Sequence, residues 1–472
     1  TVKRTSMHNQ PDFRTNLSFE ALWDTKKWFE PAFVQLNSEG CILSISEESK
    51  TQEPTETIRG FVIPGHNNAH SHAFQYALAG LAEHLPHHSA EDDFWSWREA
   101  MYQLANTILP DEMEDIAAML YSQMLRNGYT SVAEFHYLHH NLDGSSFEEK
   151  AAMGQALLEA AKSTGIKLTL VPIFYQRGGF QGQMNPHQRR FISQTADDYF
   201  ELLYQTEKLV NNTANSKLGI GIHSLRAASP EAICEIFEST PVSIPKHIHV
   251  AEQQKEVAEA QRFLGHRPIT WLMKNLSLEG NYHLVHATHM NSEEVEQLAH
   301  SKAHVVICPS TEGNLGDGFF SLRAFMQSGG RWSIGTDSHI SLNPCEELRW
   351  LDYGQRLRHQ KRNAYCFKGS EEGGEIALKQ SILHGRSATG YSVQPLSVGE
   401  PFDAVVYDAS QPLLSASPKS HRLSTIVYTA DTSSILGTVV NGRWYVINRQ
   451  HIRQEELCSN FIQALAKIRN KR

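Results

Sequence analysis

Residues 61–72 read FVIPGHNNAHSH, an apolar, β-branched entry that leads to two histidines, His70 and His72, two positions apart. A strand alternates its side chains between faces, so this spacing sends both imidazoles to one side. Two imidazoles on one side make a chelate for a divalent ion. Other runs end in residues of the same chemistry: KHIHVAEQ holds His249, HLVHATH holds His286 and RWSIGTDS holds Asp337. With TSVAEFH, KLTLVPIFY, KLGIGIHS and HVVICPS they make eight runs bounded by turn residues, most of them separated by helix-like stretches. Eight strands alternating with helices predict an α/β fold, a (β/α)8 TIM-type barrel. The site of such a barrel is built at the carboxyl ends of its strands, and the metal-type residues fall at the ends of the first, fifth, sixth and eighth runs.

The chain has 472 residues, 40% of them hydrophobic and 20% charged, which gives ample material for a large core. A formal charge of −9 argues against nucleic acid as a partner, and an anionic small ligand would need local cations. No stretch of about 18 apolar residues appears, and the opening TVKRTSMHNQPDF lacks the apolar centre of a signal peptide, so a cytoplasmic protein with no membrane partner is expected. Cys41, Cys234, Cys308, Cys345, Cys366 and Cys458 are scattered without CxxC pairing, which reads as reduced thiols.

Both ends of the chain are rich in β signals. FVQLNSEGCILSISEES predicts a hairpin turning at Ser38, Glu39 and Gly40, and GEPFDAVVYDAS, STIVYTAD and ILGTVVNGRWYVINRQH predict further strands, the last with a turn at Asn441 and Gly442. Neither segment can bury a core alone, so the two are expected to combine into one small β-sandwich beside the barrel. The expected division is 1–62 and 391–472 for the sandwich, with 63–390 for the barrel. EELCSNFIQALAKIRNKR has helical spacing and a basic end suited to a helix C-terminus.

The convergence of His70, His72, His249 and Asp337 predicts one divalent ion with a position left for water, a design for hydrolysis. Zinc suits these nitrogen and oxygen ligands, and iron or manganese would fit the same set. Glu252, three residues after His249, is placed to carry a proton, Asp337 to accept one from water, and His286 to sit beside the metal ligands. His87, His88, His139 and His140 lie in polar surroundings and are assigned to surface loops. CPSTEGNLGDG, after the seventh run, reads as a connection whose glycines beyond Asn314 permit tight turns near a ligand.

At GHNNAHSHAFQ, HVAEQ, LVHATH and GTDS the sequence resembles the amidohydrolase superfamily, in its branch with one metal and an HxxE motif after the fifth strand. HSHAFQYALAGLAE, DDFWSWREAMYQLAN, YTSVAEFHYLHH, NPHQRRFI, HSLRAAS and CPSTEGNLGDG resemble, more narrowly, the formimidoylglutamate deiminase family within it. The resemblance implies hydrolysis of N-formimino-L-glutamate to N-formyl-L-glutamate and ammonia, a step of histidine breakdown. It implies His70, His72, His249 and Asp337 as metal ligands, with Glu252 and His286 around the formimino group. It also implies that Gln75, Tyr137, His223 and Arg226 hold the glutamate part, with His136 an alternative to Tyr137. Arg226 suits that role because its planar fork can bind a carboxylate through two bonds.

Two rival readings stand beside this one. A deaminase of a nucleobase or other aromatic amidine would use the same metal set, but its flat ring would call for stacking aromatics and amide donors, where HSLRA supplies a cation. A non-catalytic metal-binding scaffold would not need a proton carrier such as Glu252. The expected partner is a small formimino dicarboxylate, and a homodimer is the expectation for assembly.

Overall fold

The computed structural model describes residues 11–50, 56–83, 92–182, 184–369 and 371–471. His87 and His88 lie outside these. Eight parallel strands follow one another around a barrel in sequence order: β1 (His66–Ser71), β2 (Tyr129–His136), β3 (Lys167–Phe174), β4 (Ile220–Ser224), β5 (Lys246–Val250), β6 (Tyr282–His286), β7 (His304–Ile307) and β8 (Arg331–Ile334). A short strand, Ser216–Leu218, precedes β4 and also pairs with β3. The barrel closes where the end of β8 meets β1: Thr336 and Asp337 donate their N–H groups to the His70 carbonyl at 3.1 and 3.0 Å, and His72 N–H returns to the Asp337 carbonyl at 3.2 Å. Gly335 permits this seam, since a Cβ there would lie 2.7 Å from His70 Cβ. The predicted barrel is therefore present, and its seam joins three of the expected ligand positions, His70, His72 and Asp337.

The chain ends combine as predicted, into one mixed ten-stranded sheet. Its middle strand, Glu56–Pro64, runs parallel to Asn16–Trp23 and antiparallel to Ala404–Asp408, so the ends are interleaved. Both predicted hairpins are present, Ala32–Leu36 with Ile42–Ser46 and Ile435–Val440 with Arg443–Ile447. Asn441 and Gly442 have φ of 50° and 71°, the left-handed pair that a two-residue hairpin turn requires.

Three sequence expectations need correction. The run FVIPGHNNAHSH is two strands: Phe61–Pro64 belongs to the mixed sheet, and the barrel strand starts only after Gly65. STIVYTAD is not a strand, because Arg422–Thr429 is a helix that buries Leu423, Ile426 and Val427. The connection after β7 is also helical over Pro309–Leu315 and ends at Gly316 with φ of 69°, so its glycine serves as a left-handed helix stop.

The helix Phe94–Ala105 crosses the carboxyl-end mouth of the barrel, and its N-terminus is fixed by Asp93, whose carboxylate accepts from Trp95 and Ser96 N–H at 2.9 and 3.1 Å. The chain closes with the helix Gln454–Asn470, as its spacing predicted. No helix among the described residues is long and apolar enough to cross a membrane.

Candidate active site

His70 and His72 project from the end of β1 with their Nε2 atoms 3.1 Å apart, and His249, at the end of β5, brings its Nε2 to 3.0 Å from His70 Nε2. Asp337 Oδ1 completes the group at 3.3 Å from His72 Nε2 and 3.6 Å from His70 Nε2. A zinc ion held tetrahedrally at about 2.0–2.1 Å needs its ligand atoms about 3.3 Å from one another. The three histidine nitrogens lie close enough together to share one ion, and Asp337 Oδ1 approaches it from the side of His70 and His72.

Protonation agrees with it. Burial pushes His72 down to about 3 and holds His70 and His249 well below the usual imidazole range, so all three are neutral, as metal ligands must be. His72 Nδ1 lies 2.9 Å from the Phe135 carbonyl, which accepts its proton and leaves the Nε2 lone pair facing the group. Burial raises the Asp337 carboxyl to about 7 against the opposing charge of His286.

The strand ends are bent to serve this geometry. Ala251 after β5, His286 and Ala287 at the end of β6, and Asp337 and His339 after β8 all have positive φ, between 47° and 71°. Such backbone costs about 1–3 kcal/mol per residue and persists where the surroundings enforce it. After β5 the enforcement is visible: Glu256 accepts from Ala251 N–H at 3.0 Å and from Glu252 N–H at 3.2 Å, which fixes the backbone that carries Glu252. The Glu252 side chain is buried and its Oε1 lies 3.6 Å from His286 Nε2. His286 Nε2 is also 3.7 Å from Asp337 Oδ2. Burial alone would lower His286, yet Glu252, the Glu312 hydrogen bond and Asp337 raise it to about 10.

The residues expected to hold the substrate tail line the same pocket. Gln75 donates to Tyr137 Oη at 3.0 Å, and the His223 ring lies 5.0 Å from that of His249. Tyr137 and not His136 faces this pocket; His136 packs against His139, ring to ring at 4.9 Å. His139 and His140 are not on surface loops. The Arg190 carbonyl accepts both of their backbone N–H groups, and their Nε2 atoms lie 2.9 and 2.7 Å from the carbonyls of Ile173 and Ile192. Arg226 is buried beside the pocket; burial opposes its charge, and Glu256 and Glu252 more than restore it.

Three residues of the site escaped the sequence reading. Arg98, from the helix Phe94–Ala105, enters the pocket opposite Arg226. Both guanidinium groups lie against Trp95, with Cζ 4.5 and 5.9 Å from its ring centroid, and the Nε of each is buried with no hydrogen-bond partner among the described residues. The arginine of FWSWRE was the available signal. Glu312 Oε1 lies 3.1 Å from His286 Nδ1, and CPSTEGN carried it. Glu134, on β2, accepts from Ser71 Oγ and Ala73 N–H, each at 2.6 Å, and from Tyr121 Oη at 3.1 Å, so it clamps both flanks of His72. Nothing in its local sequence marks that role.

A parallel barrel with three neutral histidines and a carboxylate converging at the carboxyl ends defines a class of metal-dependent barrel proteins. The chain belongs to the amidohydrolase family, whose model matches residues 61–445. It is 39% identical over 442 residues to a formimidoylglutamate deiminase of Pseudomonas aeruginosa, covering 93% of this chain and 96% of that protein. Among solved structures it is similar to an amidohydrolase from Brucella melitensis, with 35% identity, a TM-score of 0.90 and coverage of 96% of this chain and all of that one. An adenosine deaminase from Xanthomonas campestris with bound zinc shares the fold at 20% identity and a TM-score of 0.79, covering 96% of this chain and 98% of its own.

Proposed function

We propose that this protein hydrolyses N-formimino-L-glutamate to N-formyl-L-glutamate and ammonia, a step of histidine degradation. The observation that carries this reading is the pairing, within one pocket, of a metal-type cluster with Arg226, which is buried, and Arg98, which is half-buried, the Nε–H of each buried with no partner among the described residues. A formimino dicarboxylate has an amidine for the first and two carboxylates for the second. The 39% identity to the Pseudomonas aeruginosa deiminase over nearly the whole chain supports the same substrate.

His70, His72, His249 and Asp337 would hold one zinc ion, which when bound supplies a Lewis acid and a water of lowered pKa. Asp337 Oδ2, turned away from His70 and His72, accepts a proton from the attacking water. The new carbon–oxygen bond forms at the formimino carbon, and His286 Nε2 faces the charge that develops there. The proton taken by Asp337 and the one left on the intermediate's hydroxyl both reach the terminal nitrogen through Glu252, so its bond to carbon breaks as ammonia leaves and the oxygen becomes the formyl carbonyl. Water and amidine thus become formamide and ammonia with no other reactant. Arg226, Arg98 and His223 bind the carboxylates, while Gln75 and Tyr137 hold the chain beside them.

The test is ammonia release from a panel of formiminoglutamate, formiminoglycine, guanine, adenine and cytosine, with metal content measured on the same preparation. Formiminoglutamate is expected to be turned over fastest, formiminoglycine poorly and the bases not at all. Faster turnover of any base would replace this reading with a ring deaminase.

A further inference from the structure

His286 is gripped from both sides. Toward the pocket, Nε2 faces Glu252 at 3.6 Å and Asp337 at 3.7 Å. Away from it, Nδ1 lies 3.1 Å from Glu312 Oε1, and that oxygen also accepts Cys308 N–H at 2.9 Å. Glu312 is itself rigidly held: it is buried, and its N–H donates to the Cys308 carbonyl at 2.8 Å within the helix that starts beside it. The backbone of His286 is strained, with φ of 71° and 50° for Ala287 after it. A strained strand end does not by itself select which edge of an imidazole faces the pocket, because a half-turn about the ring bond exchanges Nδ1 with a carbon.

The geometry points to Glu312 as the positioning residue that fixes the ring of His286, by taking Nδ1–H and so committing Nε2 to the reacting centre. A carboxylate behind an imidazole sets its orientation whether the ring is neutral or charged, because only the edge that carries Nδ1–H can donate to it. Glu312 touches neither substrate nor the metal-type cluster in this arrangement and acts only through His286. Its catalytic consequence rests on the proposed hydrolysis, whereas the ring geometry does not.

Glu312→Leu removes the acceptor at similar size, and Glu312→Gln keeps an oxygen acceptor. With metal loaded, Glu312→Leu should lower kcat at least 100-fold with KM within threefold and metal content unchanged, while Glu312→Gln keeps kcat within tenfold. Crystals of metal-free Glu312→Leu should show Nε2 of His286 turned away from Glu252 and Asp337, and those of Glu312→Gln should show it in place. A kcat within threefold of wild type for Glu312→Leu, or an unmoved ring, would overturn the assignment, since a residue that merely ties down the Cys308 turn would lower Tm and leave both intact. Should Glu312→Leu not fold, NMR of the 15N-histidine-labelled, metal-free wild type decides the matter, with His286 assigned by its loss in His286→Gln: a strongly downfield Nδ1 proton, the mark of a hydrogen bond to a buried carboxylate, is expected, and its absence overturns the assignment. Failure of the wild type to release ammonia would refute the substrate and leave the ring geometry untouched.

Discussion

Asp337 gives its two carboxylate oxygens to different partners: Oδ1 lies 3.3 Å from His72 Nε2, and Oδ2 lies 3.7 Å from His286 Nε2. One oxygen can therefore serve a metal ion while the other receives a proton. Asp337→Asn keeps an oxygen for the first task and loses the base. It is expected to retain much of its metal and to lose about 10²–10⁴-fold in kcat, the usual contribution of general base catalysis. Measuring metal content and kcat together checks this, and near-wild-type turnover would remove Asp337 from proton transfer.

His249 Nε2 is the only cluster atom contributed by β5, 3.0 Å from His70 Nε2. With four protein ligands a water makes the fifth, and His249→Ala takes away one of the three imidazoles that hold the ion. The purified protein is expected to carry about one ion per chain, and the variant to lose both the ion and activity. Two tightly bound ions, or full activity after exhaustive chelation, would contradict the one-ion site.

Arg98 and Arg226 reach the pocket from a helix and from the end of β4, and both rest on Trp95. Replacing either with methionine removes charged hydrogen bonds to a carboxylate, each worth about 1.5–3 kcal/mol, so kcat/KM should fall about 10- to 150-fold. The loss should appear mainly in KM, with metal content and Tm near wild type. If both variants bind formiminoglutamate as tightly as wild type, the carboxylates sit elsewhere.

At the opposite end of the barrel, His247, His283, His304 and His384 form a ladder of rings 4.8–5.0 Å apart. Burial lowers His247 to about 4, His304 to about 3 and His384 to about 4, and holds His283 well below the usual range. Their folded pKa values lie below the unfolded value of about 6.5, so their contribution is full above pH 6.5 and is lost as pH falls toward 4. At pH 5.5 each such histidine should cost about 1 kcal/mol of stability relative to neutral pH. Denaturant midpoints measured from pH 7.5 to 5.5 should fall, and His304→Phe should flatten the decline. A midpoint that rises on acidification would reverse the sign and refute this account.

Much of the site was legible in the chain because strand alternation is local. Two positions of separation place His70 and His72 on one side whatever surrounds them, and Asn441–Gly442 can make its turn without help from the rest of the protein. Eight apolar runs alternating with helical stretches predicted the barrel, the ends of the fifth and eighth runs supplied His249 and Asp337, and the resemblance to one superfamily agreed with both. The errors fell where packing outweighs local preference. Thr425, Ile426 and Val427 are β-branched and read as a strand, but docking against the helix Gly373–Ala388 makes that segment helical.

His139 looked like a surface residue because its neighbours in sequence are polar, and only the chain around Arg190, folded back over it, buries it. Arg98, Glu134 and Glu312 were beyond the reach of spacing for the same reason. Their partners are Trp95 and the far wall of the pocket, Ser71 and Tyr121, and His286, most of them distant in sequence. The sequence by itself determined which residues could serve as ligands and on which face of a strand they stand, because that follows from backbone period. Only the tertiary structure decided which carboxylates and guanidinium groups meet them, because burial and hydrogen-bond partnership are set by segments that become neighbours when the barrel closes.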